Sequence, residues 1–223
     1  MDQTCWELAC QQAQTIMGRV VASVTHEIKN KLAVLLEQGA FVGDLARKPA
    51  QGKPLEPEKI EKISGMLVQR VKETDAIIRR LNAFAHSSDK AWGCLEAHEA
   101  LGLMVEMHRR LADMKMVKLL AESSEKSINI ETRPLFLLAA LFSCLEAAVG
   151  GAPQGGEVRA EVIEEERRVR FAFRWEGEGQ PDLSFVPEVL TAVEGRLGVL
   201  DPGQGFCLTV PARFGCGAPG GVV

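Results

Sequence analysis

The chain has no excess of basic residues. Its 26 lysines and arginines stand against 30 aspartates and glutamates, a formal charge of −4, so the cationic footprint of a nucleic-acid binder is missing. It has no long apolar run either. The longest, residues 135–142, is far too short to cross a bilayer. The opening residues MDQTCWELACQQAQ are acidic and polar where a secretory leader would be apolar. Six cysteines are present, but none forms a Cys-x-x-Cys pair, and no histidine lies at zinc-ligand spacing from two of them. These absences lead us to expect a cytoplasmic protein with reduced thiols and no bound metal, contacting neither nucleic acid nor membrane. What is present is the balance of a globular protein, 46% hydrophobic and 25% charged, and 223 residues allow one or two domains.

Residues 23–36, SVTHEIKNKLAVLL, set the frame. Val24, Ile28, Leu32 and Leu35 recur at spacings of three and four, with Met17 and Val21 extending the row toward the N-terminus. That is one stripe of an amphipathic helix. His26 is two residues from both Val24 and Ile28, so at about 100° per residue it points away from the stripe into solvent. Lys29 and Asn30, at i+3 and i+4, share its face. The string His26-Glu27-Ile28-Lys29-Asn30 followed by Leu32 resembles the phosphoacceptor box of two-component histidine kinases, H-E-I-K-N-P-L, with Lys31 in place of proline. A sensing or membrane region normally precedes that box; with His26 so near the start, none is expected here.

Residues 4–46 read as one helix, weakened at Gly18 and Gly39 by about 1 kcal/mol each relative to alanine. The stretch 48–57, KPAQGKPLEP, is a loop. A second helix runs from Pro57 to about His86, its stripe marked by Ile60, Ile63, Leu67, Val71, Thr74, Ile78, Leu81 and Ala85. Two helices of this length joined by a short loop form an antiparallel hairpin. A single hairpin leaves apolar surface over. A two-fold homodimer forming a four-helix bundle covers it, and packing against the chain's own second half is the alternative. The resemblance implies the dimer, because the phosphoacceptor domain of histidine kinases is such a bundle. Residues 1–90 are therefore expected to form a dimerisation and phosphoacceptor domain, with 87–93 as the linker.

Beyond the linker the pattern becomes α/β: a helix over 97–114, short strands over 117–121 and 127–130, an apolar helix over 133–149, a hairpin over 157–163 and 168–175, a short helix over 188–194, and a hairpin over 196–200 and 205–211 that turns through Asp201-Pro-Gly-Gln. A domain over 91–214 and a disordered tail over 215–223 follow. This order resembles the ATP-binding domain of the histidine kinase and Hsp90-type superfamily, most plainly at LFSCLEAAVGGAPQGGEVRAEV (141–162) and EGRLGVLDPGQGFCLTVPA (194–212). The expected fold class is α + α/β: a helical hairpin dimerising into a bundle, then a reduced α/β sandwich of that type.

The nucleotide motifs of the family are not matched. Its N-L-L-x-N-A helix falls on Ser143 and Ala147, and an alanine methyl supplies no oxygen to Mg²⁺. Its D-x-G-x-G falls on Trp175–Gly179. Trp175 replaces the aspartate that accepts from adenine, and indole only donates. Gly177 and Gly179 remain, best explained by a tight turn. Only fifteen residues separate Gly179 from Gly195, and none is glycine, so no phosphate-cradling lid is available. No cofactor is expected in the chain.

An intact phosphoacceptor helix joined to such a domain resembles the dimeric histidine phosphotransferases of phosphorelays. The resemblance implies phosphoryl exchange between His26 and a receiver-domain aspartate, with Mg²⁺ supplied by the receiver. His26, Glu27 and Asn30 are the expected catalytic residues, and Lys29, Lys31 and Arg19 the expected phosphoryl or receiver contacts. The partners would be a second copy, a response-regulator receiver, and an upstream hybrid kinase. Three alternatives stay open: a kinase with a reshaped nucleotide site, a non-catalytic dimeric adaptor, and a phosphatase in which Asn30 orients water. His86, His98 and His108 are expected to be structural.

Overall fold

The computed structural model describes residues 2–51, 54, 56–122, 124, 126–177, 179–183, 187–200 and 205–213. The expected turn at 201–204 and the expected disordered tail lie outside the described residues. Helix α1 spans Gln3–Arg47 and α2 spans Pro57–Ala85, matching the stripes in the sequence. Pro57 occupies the first turn of α2, where its missing N–H costs nothing, and Glu58 sits at the positive end of the helix. The chain divides into two units, one of residues 20–83 and one of residues 1–19 with 84–223. Where the sequence places a boundary at 90, the first five turns of α1 belong to the second unit.

In the unit of residues 20–83, Lys31 of α1 donates to Glu73 of α2 at 2.6 Å. Val24, Leu45, Ile63 and Ile77 are buried. The expected stripes are only half covered: Leu32, Val71 and Ile78, predicted to be core, are exposed, and so are Leu36, Phe41, Met66 and Val68. The hairpin thus has more apolar surface than it buries, with Leu36 at 76% exposure. Without proline at position 31, α1 keeps an unbroken helical ladder through the box.

The other unit begins with the start of α1. Ala9, Ala13 and Ile16 form a buried row there, Trp6 stacks against Phe136 with ring centroids 5.1 Å apart, and Gln12 accepts from the Val189 amide. Arg133 lies over the rings of both Trp6 and Trp92, at 4.6 and 4.7 Å. This row has the same helical period as the hairpin's own stripe, so periodicity alone could not divide α1.

The rest is β1 (Gly93–Glu96), α3 (Ala97–Met114), β2 (Lys118–Ala121), β3 (Asn129–Thr132), α4 (Pro134–Gly151), β4 (Glu157–Glu164), β5 (Arg168–Trp175), α5 (Pro187–Ala192), β6 (Arg196–Val199) and β7 (Gly205–Pro211). Among the described residues, five strands form one sheet in the order β2-β4-β5-β7-β6, in which β2 runs parallel to β4 and the other pairs are antiparallel. β1 pairs with β3 in a separate two-stranded ribbon. β1 was not anticipated: its first residue falls in the expected linker, and four residues of mixed polarity give no alternation to read. The core is built on α4, all of which is buried except Leu135, Glu146 and Gly150. By length and composition α4 is apolar enough to cross a membrane, yet it lies mostly buried inside the fold, which explains a helix hydrophobic all round.

Candidate functional site

His26 is exposed on α1, in the middle of a long regular helix that fixes its backbone. The Asn30 side chain, one turn on, places Nδ2 3.3 Å from His26 Nδ1, as expected of two residues at i and i+4. Lys29 is exposed and forms no ion pair among the described residues. Glu27 is half-buried, and no hydrogen bond joins it to the imidazole among the described residues. The structure therefore brings His26 and Asn30 together, with Lys29 a neighbour on the exposed side.

Two residues expected at the phosphoryl group are engaged elsewhere. Lys31 is half-buried and donates to Glu73, which also accepts from Arg70 at 2.9 Å. Those hydrogen bonds, that from Lys31 first, hold the Glu73 carboxyl down at about 2. Arg19, in the other unit, pairs with Glu146 of α4. Neither partner was legible in the sequence, since Glu73 lies 42 residues from Lys31 and Glu146 lies 127 residues from Arg19.

Of the positions that the resemblance aligns with nucleotide motifs, Ser143 and Ala147 lie in the C-terminal half of α4, and Trp175, Gly177 and Gly179 lie at and beyond the end of β5. Ser143 and Ala147 are buried. Trp175 is only 4% exposed, set edge-on to Phe206 with centroids 6.1 Å apart, and its Nε1 has no hydrogen-bond partner among the described residues. The segment after it closes onto the end of α4. A Cβ built on Gly179 would stand 1.7 Å from the Gly151 carbonyl oxygen, and one on Gly151 would stand 3.0 Å from Trp175 Cζ2 and 3.1 Å from the Pro181 nitrogen. Gly177 has φ +132°, open to glycine and strained for other residues. The two glycines thus serve a turn and a close backbone approach. A cleft of about 340 Å³ lies beside this contact, lined by Arg19, Lys115, Glu146, Ala147, Gly150, Gln180 and Asp182, and a larger one of about 760 Å³ borders Trp175, Glu176 and Gly177. Among the described residues no group of three or more His, Cys, Asp or Glu side chains could hold a metal.

The remaining histidines are embedded in local structure. His86 contacts Asp89 at 2.8 Å. His98 contacts Glu96 at 3.1 Å; Glu96 caps α3 by accepting from the Glu99 amide, and its other oxygen accepts from the Ile128 amide just before β3. His108 is almost fully buried, its ring 4.4 Å from that of Phe142, with Nδ1 unpartnered among the described residues.

The chain is similar in fold to solved histidine kinases. The Acinetobacter baumannii histidine kinase AdeS shares 11% identity over 84% of this chain and 98% of its own, with a TM-score of 0.46. A histidine kinase from Burkholderia phymatum shares 14% over 96% of this chain and all of its own, with a TM-score of 0.47. The histidine kinase ThkA, solved in complex with the response regulator protein TrrA, shares 14% over 95% of this chain and 67% of its own, also with a TM-score of 0.47. No family model matches the chain, and no curated protein matches it in sequence.

Proposed function

We propose that the chain is a histidine phosphotransferase of two-component signalling, exchanging a phosphoryl group between His26 and the aspartyl phosphate of a response-regulator receiver. The observation that carries the reading is the exposed His26 imidazole with the Asn30 amide against its Nδ1. A side-chain amide presents either its NH₂ or its oxygen to a neighbour. With the oxygen turned to the ring, Nδ1–H donates to Asn30 and Nε2 holds the free lone pair. Nε2 then forms the N–P bond as the acyl phosphate's C–O–P bond breaks at phosphorus and the aspartate leaves as a carboxylate. Neutral imidazole is a competent nucleophile near pH 7. The transition state is loose, so orientation and charge neutralisation carry most of the catalysis. Lys29 supplies positive charge beside the transferring group, and the receiver brings Mg²⁺.

ATP is not the donor in this reading. Ala147 offers no oxygen to a cation, Trp175 occupies the position of an adenine acceptor, and residues 179–181 pack onto Gly151. The hairpin's uncovered apolar residues support a homodimer: exposed Leu32, Leu36, Val68, Val71 and Ile78 are the surface a second copy would bury in a four-helix bundle.

The test is to incubate the purified protein with labelled ATP alone and with a kinase and its phosphorylated receiver. Acid-labile, base-stable label should appear on this chain only in the second mixture. Label from ATP alone would make it a kinase, and no label in either would make it an adaptor.

A further inference from the structure

The solvent face of the five-stranded sheet is rich in arginine. On β5 the side chains alternate: Val169, Phe171 and Phe173 are buried, while Arg168, Arg170 and Arg174 lie on the other side. Arg174 stands opposite Arg159 of β4. Arg170 stands opposite Thr209 of β7, and Thr209 opposite Arg196 of β6. Five cations thus share one face of a chain whose formal charge is −4. Arg159 is neutralised by Glu157 at 2.6 Å and Arg174 by Glu161 at 2.7 Å.

The other three border a groove of about 390 Å³ on the β5-β7-β6 side. Arg170 pairs with Glu165 through Nη2, and its Nε is shielded from solvent with no acceptor among the described residues. Arg168 and Arg196 form no ion pair among the described residues. The floor between the three is made of small residues, Thr209, Cys207 and Gly198. A Cβ on Gly198 would press on the Cys207 sulfur at 3.1 Å. Arg170 and Arg196 are two strand spacings apart, roughly 9.6 Å between backbones, with only the short Thr209 side chain between them. Long guanidinium side chains reach across that gap, and their planar donor forks match phosphate oxygens. Three arginines against one carboxylate leave the groove cationic.

We infer that this groove binds a small soluble phosphate compound, its phosphate held by Arg168, Arg170 and Arg196 above the Thr209 hydroxyl. The site is separate from His26 and does not rest on the phosphotransferase reading.

Inorganic pyrophosphate, titrated into the full chain by calorimetry at constant ionic strength, is the probe. One saturable site per chain is expected. The double variant Arg168→Ser, Arg196→Ser should bind about tenfold more weakly or worse, since hydrogen bonds to charged groups are lost. Arg196→Ser alone, at an exposed position on a sheet edge, should show part of that loss without disturbing the fold. Arg159→Ser, outside the groove, should bind as the parent does. Absence of saturable heat, undiminished affinity in the double variant, or an equal loss in Arg159→Ser would each overturn the assignment. So would a chain that ignores soluble pyrophosphate but sediments with phosphatidylcholine vesicles containing phosphatidylinositol phosphate, because the ligand would then be a lipid headgroup.

Discussion

Asn30 Nδ2 lies 3.3 Å from His26 Nδ1, one helical turn away on the same exposed face of α1. If His26 is the phosphoacceptor, His26→Ala removes the nucleophile and transfer from a phosphorylated receiver should vanish. Both side chains are exposed, and such substitutions usually change stability by less than about 0.5 kcal/mol, so an unchanged melting curve should accompany the loss. Asn30→Ala should slow transfer without abolishing it, by roughly 10-fold to 100-fold, because an orienting hydrogen bond to a polar group is worth about 1–3 kcal/mol in such a site. Rapid-quench transfer assays measure both. A His26→Ala protein that takes label at the parent rate would defeat the reading.

Lys29 and Lys31 are two residues apart and should behave differently. Lys31 is committed to Glu73, whereas Lys29 is exposed and unpaired among the described residues. Lys29→Met should lower the transfer rate and weaken its dependence on salt, as the loss of an exposed steering charge does. Lys31→Met should leave the rate within about twofold and cost up to about 1 kcal/mol of stability, the range of a half-exposed ion pair. Transfer kinetics and urea denaturation of the two variants separate these outcomes. A larger rate loss in Lys31→Met than in Lys29→Met would show that Glu73 releases the lysine during transfer.

Most of the fold could be read from local pattern. The two long helices, the apolar α4, the β4–β5 hairpin and the terminal strands each carry a period of 3.6 or 2 over enough residues to stand out. The misses share a cause: they depend on pairing at a distance. The four-residue β1 exists because β3 lies beside it, the start of α1 belongs with α4 and α5 because Trp6 meets Phe136, and the partners of Lys31 and Arg19 come from other helices. At the candidate site, the exposure of His26 and its alignment with Asn30 followed from helix geometry. The packing of residues 179–181 onto Gly151 did not, since no spacing in the sequence reports it.

The dimer makes a direct prediction. The chain mass is 24.3 kDa, and light scattering of the full protein should return twice that. Leu36 is 76% exposed and Val71 55% exposed, so charge placed there costs an isolated hairpin little. In a bundle the same charge would be buried without a partner, costing several kcal/mol. Leu36→Glu with Val71→Glu should therefore shift the protein to monomer while leaving its helical signal. A parent chain that is monomeric at micromolar concentration would remove the bundle, and the exposed row would then need another occupant.

The last prediction concerns His108, which the candidate chemistry does not use. The residue is 1% exposed. Burial, with the Arg19 and Lys115 charges adding to it, pushes its pKa down from 6.5 to about 3. In the unfolded chain the imidazole takes a proton near pH 6.5, while in the folded chain it stays neutral until about pH 3. The unfolded state therefore binds more protons across that window, and stability must fall as pH drops through it, by up to about 1.4 kcal/mol per unit from this residue. Above pH 6.5 both states are neutral and the contribution is flat. His108→Leu keeps the apolar contact with Phe142, removes the unpartnered Nδ1, and takes away the titration. Urea denaturation at pH 7.5 and 5.0 should show the parent losing about 2 kcal/mol more than the variant between the two conditions. The variant should also be at least as stable at pH 7.5, because no buried polar nitrogen is left unsatisfied. Parallel pH dependence in the two proteins would mean that His108 is protonated as readily inside the fold as outside it, and that water reaches Nδ1 between α3 and α4.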